Sequence, residues 1–367
     1  MRYRIQESDS APAYLQLYRQ LREDIVSGLY PPGSKLPSKR IMADETGVST
    51  VTVEHAYALL CDEGYIESHE RSGYFVIFQA SDGFVGSASG KSAEPHPPLH
   101  RPETQSEFSY PLLAKTMRRV MSDYGEALLN KSPNSGCLEL REAIGQYLAR
   151  SRGIQVFAKQ IIIGSGAEYL YGLIVELLGR NMTYAIESPS YKQIEQVYKV
   201  FDVKYELLPL GNDGIESSAL WETDAKILHI TPYRSFPSGV TATASKRHEY
   251  LRWAASRDHY IIEDDFESEF SVSKKPEETL FSHASNDNVI YMNTFSKTIS
   301  PSLRVGYMVL PMHLVPLFEQ KLGFYSCTVP TFEQLVLTEL IANGDFERHI
   351  NRVRRKKRRE MLNEKND

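Results

Sequence analysis

Residues 289–311 read VIYMNTFSKTISPSLRVGYMVLP. The apolar runs at its two ends have the composition of strands buried on both faces. Between them Lys297 stands just past the first run, with the hydroxyls of Thr294, Ser296 and Thr298 around it and Arg304 seven residues further on. A lysine desolvated at a strand end has its pKa lowered and forms a Schiff base with an aldehyde. An arginine and several hydroxyls suit a phosphate. A single phosphorylated aldehyde would use both.

Upstream, IIEDDFESEF (261–270) sets Asp264 at the end of another apolar strand, where a carboxylate suits a protonated pyridine nitrogen. GSGAEY (164–169) closes a strand and opens a helix, so the backbone of Ser165, Gly166 and Ala167 offers an anion site. Each piece alone is ordinary: a lysine after a strand is usually a solvated charge, an acidic cluster more often binds a metal or faces water, and GSG is a common turn. Their order and spacing together point to one site. Strand candidates QIIIGSG, TYAIESP, KILHITP, HYIIEDD, VIYMNTFSK and RVGYMVLP alternate with helical stretches such as AEYLYGLIVELLG and YKQIEQVYKVF. The fold class expected from this alternation is α/β with a mostly parallel sheet, and ligands gather at the carboxyl ends of such strands.

The N-terminal part has a different grain. Residues 14–28 carry Leu15, Tyr18, Leu21 and Ile25 at helical spacing and stop at Gly28. Ser38 caps a second helix that Gly47 closes, and Ser49 or Thr50 caps a third whose inward face is Val53, Ala56, Tyr57 and Leu60. YIES and YFVIF then alternate around HERSG as a hairpin. Three short helices and a β-wing make a winged helix-turn-helix. Residues 80–107, rich in Ser, Gly, Pro and charge, read as a linker. The expected domains are therefore 1–79, a linker at 80–107, and 108–367.

Composition agrees with two domains, since 367 residues exceed what one core usually serves. No apolar stretch approaches the roughly 20 residues of a membrane helix. The N-terminus MRYRIQESDSAPAY lacks the apolar core of a secretion signal, so a cytoplasmic location is expected, with no membrane partner. Cys61, Cys137 and Cys327 are too scattered for a disulfide framework or a zinc site, and no metal is expected. The net charge of −5 argues against nonspecific coating of nucleic acid. Even residues 1–80 carry eight Lys and Arg against eleven Asp and Glu, so any DNA contact must be local.

SKTISPSLRVGY resembles the lysine loop of fold-type I aminotransferases. Together IIEDDFESEF, TPYRSFPSG, IESPSY and SPNSGCLELREAIGQYL resemble segments of the MocR subfamily (GabR-like) of GntR regulators. The resemblance implies pyridoxal 5′-phosphate held on Lys297 as an aldimine. It would also imply Asp264 on the pyridine nitrogen, the phosphate on Arg304, Ser296, Thr294 and the Ser165–Gly166–Ala167 turn, and Tyr191 stacked on the ring. It further implies a homodimer, a double-stranded DNA operator and a small amine or amino-acid effector. The sequence departs from the family in three places. Phe266 stands where a tyrosine is usual, and Arg234 and Ser235 stand where His-Gln is common. The family's chain also runs on past the position of Asp367 into a small lobe whose arginine clamps a substrate carboxylate. Without that clamp little or no transaminase turnover is expected, and no catalytic residue is assigned. An aminotransferase with an accessory DNA-binding domain, or a cofactor-free dimerising DNA-binding protein, are the alternatives.

LPSKRIMADETGVSTVTVEHAYALLCDEGYIESHERSGYFV resembles the GntR winged helix-turn-helix. By that match Ser38, Lys39 and Arg40 would contact phosphate. Ser49, Thr50 and Thr52 would open the recognition helix, and Arg71, Ser72 and Gly73 would form a wing tip near the minor groove. Glu54 would face the same groove, while Glu23, Asp24, Asp62 and Glu63 would point away. The run RVRRKKRRE (352–360) reads as a solvated helix face, with added DNA affinity the sharper alternative.

Overall fold

The computed structural model describes residues 3–5, 11–79, 107–257, 259–266, 268–271, 278–284 and 287–363, in two units, Met1–His100 and Arg101–Asp367. Apart from Glu107, the expected linker lies outside the described residues.

In the first unit α1 (Ala13–Val26), α2 (Lys39–Thr46) and α3 (Thr50–Asp62) precede a hairpin of β1 (Ile66–His69) and β2 (Gly73–Val76). The Ser38 hydroxyl accepts from Ile41 N–H and the Ser49 hydroxyl from Thr52 N–H, so α2 and α3 both start where a side chain satisfies a backbone donor. Gly47 ends α2 in the left-handed region, at φ 72°, which suits a residue without a Cβ. Val53, Ala56, Tyr57 and Leu60 are buried against Leu17, Leu21 and Met42, and the Tyr57 hydroxyl donates to the Pro37 carbonyl at 2.8 Å. The inward face read from the sequence is the core.

Among the described residues the second unit is built on eight strands: β3 (Ile161–Gly164), β4 (Tyr184–Ser188), β5 (Tyr205–Gly211), β6 (Gly214–Ile215), β7 (Ile227–Ile230), β8 (Tyr260–Asp264), β9 (Val289–Thr294) and β10 (Gly306–Val309). Their order is β3-β10-β9-β8-β7-β4-β5-β6. From β5 through β4, β7 and β8 to β9 the pairs are parallel, whereas β10 runs antiparallel to both neighbours and β6 antiparallel to β5. Ten helices accompany the strands among the described residues: α4 (Tyr110–Tyr124), α5 (Leu138–Arg152), α6 (Ala167–Leu178), α7 (Lys192–Val200), α8 (Ser217–Glu222), α9 (Ala244–Ser256), α10 (Leu280–His283), α11 (Leu314–Leu322), α12 (Thr331–Ala342) and α13 (Asp345–Asn363).

The period of two along each strand sends alternate residues to opposite cores. Ile161, Ile163, Tyr291 and Tyr307 pack with α5 and α12 side chains, while Ile162, Ile290, Met292 and Met308 pack with those of α6 and α11. Both faces are covered, which is why these strands are apolar almost throughout. Burying each such side chain stabilises by roughly 1.5–3 kcal/mol, so a charge at fully buried Ile290 would break the sheet at its centre. The sequence reading missed β5 and β6. Only Leu208 of β5 is buried, and with Glu206 and Pro209 inside it the strand shows no continuous apolar run.

Candidate cofactor site and DNA-reading surface

Strand register assembles the site. Gly306 pairs with both Gly164 and Thr294, so the segments that follow β3 and β9 and the one that precedes β10 emerge side by side at the carboxyl ends of the parallel strands. A cavity of about 320 Å³ lies there. It is lined by Lys297, Asp264, Arg304, Ser296, Thr294, Ala167 and Tyr191, all expected from the sequence, together with Glu168, Tyr171, Ile194, Thr231, Phe236 and Phe266.

The Lys297 ammonium sits 5.0 Å from the centre of the Phe266 ring. Its pKa is lowered, chiefly by desolvation and further by the positive charges of Lys357 and Arg234. Phe266, where a phenol was expected from the family, thus serves as an apolar wall against the amine.

Asp264, at the end of β8, is 3% exposed. Tyr171 donates its hydroxyl to Oδ2, and His229 Nε2 lies 3.8 Å from the same oxygen. Tyr198 in turn is hydrogen-bonded to His229 Nδ1 at 2.7 Å. Burial raises the Tyr171 and Tyr198 phenols well above their ordinary pKa, which keeps them neutral. Oδ1 of Asp264 has no hydrogen-bond partner among the described residues. Leaving a buried acceptor unsatisfied costs on the order of 1–3 kcal/mol, so this oxygen calls for a donor from a ligand. The sequence reading missed Tyr171 and His229. His229 was visible as the lone polar residue in the buried strand ILHI, and Tyr171 lies one helical turn beyond Ala167.

In the same cavity Arg304 is held by Glu168 Oε2 at 2.7 Å. Gly166 has φ 95°, and a Cβ there would come within 2.8 Å of the Arg304 guanidinium, so the arginine lies directly across the start of α6. Three of the expected donors are otherwise engaged. Ser165 N–H donates to Thr328 Oγ1 at 3.2 Å, the Ser296 hydroxyl to the Leu303 carbonyl at 3.0 Å, and the Thr298 hydroxyl to the Phe295 carbonyl at 3.3 Å. Short loops satisfy their own backbone first, and these groups do so here. Neither Ser165, Gly166 nor Thr298 belongs to the lining.

Tyr191 caps the start of α7 and meets the Phe236 ring edge-on, with centroids 6.2 Å apart. Glu187 is buried and accepts from Thr231 Oγ1 at 2.6 Å and Ser235 Oγ at 2.7 Å. Desolvation pushes its carboxyl up to about 7. Ser235, one of the two departures in TPYRSFPSG, is therefore an internal partner of Glu187, whereas Arg234 is exposed in the left-handed region at φ 55°.

On the winged helix, the Ser38 and Ser49 hydroxyls are committed to helix caps, and Ser49 Oγ also pairs with Thr52 Oγ1 at 2.8 Å. Lys39 forms an ion pair with Glu54 at 2.8 Å, tying α2 to α3. Arg40, Thr50, Arg71 and Ser72 are exposed, and Arg71 turns the wing tip at φ 59°, next to Gly73 at φ 113°. Of the acids expected to point away, Asp24 accepts from Tyr3 at 2.7 Å and Glu63 from Tyr18, so both are occupied inside the unit. The basic run lies on α13 and is partly bound within its own unit. Arg354 donates to the Glu269 carbonyl, Lys356 to Glu107 at 3.0 Å, and Lys357 sits 4.8 Å from the Phe270 ring centre. Among the described residues no helix is long and apolar enough to cross a membrane, and no group of three or more His, Cys, Asp or Glu is placed to hold a metal ion.

Residues 13–76 match the gntR family of bacterial regulatory proteins, and residues 105–365 match aminotransferase class I and II. The chain is 34% identical over 363 residues to the HTH-type transcriptional regulator YdeL of Bacillus subtilis, covering 96% of this chain and 78% of that protein. It is 28% identical over 370 residues to the probable rhizopine catabolism regulatory protein MocR of Rhizobium meliloti, covering 94% and 74%. Among solved structures, Pyrococcus horikoshii kynurenine aminotransferase is similar with a TM-score of 0.63 and 26% identity, over 70% of this chain and 67% of that one. The aminotransferase class I and II fold is one whose members bind pyridoxal phosphate. With that domain behind a gntR-type helix-turn-helix, the chain belongs to the MocR-like family of HTH-type transcriptional regulators.

Proposed function

We propose that the chain is a cytoplasmic regulator that binds a double-stranded DNA operator through residues 13–76. In this reading its aminotransferase-like domain holds pyridoxal 5′-phosphate on Lys297 and reads a small amine or amino acid. The observation that carries the cofactor assignment is the orphaned Oδ1 of Asp264, buried in the wall of the cavity that also receives Lys297 and Arg304. A pyridinium N–H is the donor that oxygen lacks, and about 320 Å³ is room for one substituted ring.

When bound, the cofactor supplies an aldehyde carbon open to amines and a ring that withdraws electrons. The chain's own residues prepare its place. Tyr171 fixes one oxygen of Asp264, leaving the other to accept from a ring nitrogen. Desolvation and neighbouring cations hold Lys297 less protonated than an ordinary lysine, so its amine is available as a nucleophile. Phe266 and Phe236 give the cavity apolar walls, and Arg304 with the first N–H groups of α6 suits the phosphate. An effector amine fits a site whose bound group reacts with amines.

A homodimer fits this reading, because operators read by such helices are paired half-sites. Exposed apolar side chains on the large unit support it: Met121, Leu129 and Phe324 are 61%, 87% and 73% exposed. The loops that carry the last two are joined through Thr331 to Asn130 and Asn134 to Gly323.

Titration of the purified protein and of Lys297→Ala with pyridoxal 5′-phosphate tests the assignment. The expected result is a new visible absorbance band in the first and none in the second, with DNA binding retained by both. Identical spectra would refute it.

A further inference from the structure

Arg304 is the strongest anion-binding group at the phosphate end of the cavity, and a carboxylate already sits on it. Glu168 Oε2 is 2.7 Å from the guanidinium, and both side chains line the cavity. Glu168 is also in the first turn of the twelve-residue helix α6, where the helix dipole favours negative charge. It therefore draws on the same two sources of attraction, a guanidinium and a helix start, that an incoming phosphate needs.

The geometry points to Glu168 as an internal competitor for the phosphate: its carboxylate holds the anion position on Arg304 and must leave before a phosphate monoester takes that position. This rests on reading the Arg304 end of the cavity as the phosphate end. The exchange is local. Arg304 already lies across Gly166, where a Cβ would come within 2.8 Å of it, so the guanidinium is in place at the helix start and only Glu168 has to move. The pair is 53% and 37% exposed, and ion pairs so open to water hold weakly, so displacement is cheap and reversible. A residual carboxylate beside a dianionic phosphate also repels it. Glu168 thus lowers affinity for phosphate-bearing ligands and leaves affinity for their dephosphorylated forms alone, which keeps loading responsive to the supply of the phosphorylated compound.

The full chain, Glu168→Gln and Glu168→Ala are each titrated with inorganic phosphate, pyridoxal 5′-phosphate and pyridoxal. Binding is read by thermal shift for the first and by quenching of intrinsic fluorescence for the other two. The alanine variant is included because glutamine can still hydrogen-bond Arg304. The expected result is affinity raised about fivefold for both phosphate-bearing ligands and unchanged for pyridoxal. Unchanged or weakened phosphate binding in both variants overturns the proposal, as does an equal gain for all three ligands. If Lys297 takes up no cofactor but phosphate affinity still rises in both variants, the cofactor assignment fails and the competitor role stands.

Discussion

Tyr171 donates to one oxygen of Asp264, and the other oxygen of that buried carboxylate has no hydrogen-bond partner among the described residues. A carboxylate gripped on one side and open on the other is oriented before any ligand arrives, so little reorganisation is needed when a ring nitrogen docks. Asp264→Asn keeps the shape and removes the charge that favours a protonated nitrogen. A charge-assisted hydrogen bond contributes about 1.5–3 kcal/mol, so affinity for pyridoxal 5′-phosphate should fall roughly ten- to hundredfold by absorbance titration. Unchanged affinity would remove Asp264 from the site. Tyr171→Phe should cost less, since it loosens the carboxylate without discharging it.

The lowered pKa of Lys297 gives a pH dependence with a definite sign. Covalent attachment needs the neutral amine, so apparent cofactor affinity should rise with pH and level off earlier than for an ordinary lysine. Lys357 and Arg234 both disfavour the protonated form. Removing either positive charge, as in Lys357→Ala or Arg234→Ala, restores some of that form and should move the profile to higher pH. A shift to lower pH would contradict the electrostatic account.

Glu187 should govern part of the stability curve. Its carboxyl is raised from the ordinary 4.5 to about 7 by burial, so the folded state favours the neutral acid. The stability this gives is present below about 4.5 and lost as pH climbs to about 7. Glu187→Gln keeps an acceptor for Thr231 and Ser235 and cannot ionise. Relative to this variant, the wild type should lose stability on the order of 3 kcal/mol at most across that window, measured by urea unfolding at several pH values. Parallel curves for the two proteins would show that the side chain is solvated.

Lys39, expected to meet DNA phosphate, is paired with Glu54 in the absence of DNA. Glu54→Gln should release it, tighten DNA binding at low salt and steepen the dependence of log affinity on log salt by about one unit. No change in slope would mean that Lys39 reaches no phosphate in the complex.

Much of this site was legible in the sequence because its pieces sit at fixed offsets from apolar strands. Lys297 after β9, Asp264 at the end of β8 and Ala167 at the start of α6 are placed by backbone continuity alone. What lay beyond that depends on which side chains meet across the fold. Tyr171 touches Asp264 from 93 residues away, and Glu168 touches Arg304 from 136 away. Nothing in local spacing reports such pairs. The same holds for Ser165 and Ser296, whose residue types suit a phosphate but whose N–H and hydroxyl are taken up by Thr328 and Leu303. In the winged helix the inward face of α3 was readable to the residue, whereas in α1 the fully buried leucine is Leu17 and the expected Leu15 is half-buried, and the Lys39–Glu54 pair again needed the fold.

In the proposed reading Lys297, among all the lysines, carries the cofactor. Incubation with pyridoxal 5′-phosphate, reduction with borohydride and peptide mass spectrometry test it in one measurement. A stable phosphopyridoxyl adduct is expected on the peptide containing Lys297 at close to one per chain, lost in Lys297→Ala. An adduct spread over surface lysines, or none at Lys297, would contradict it.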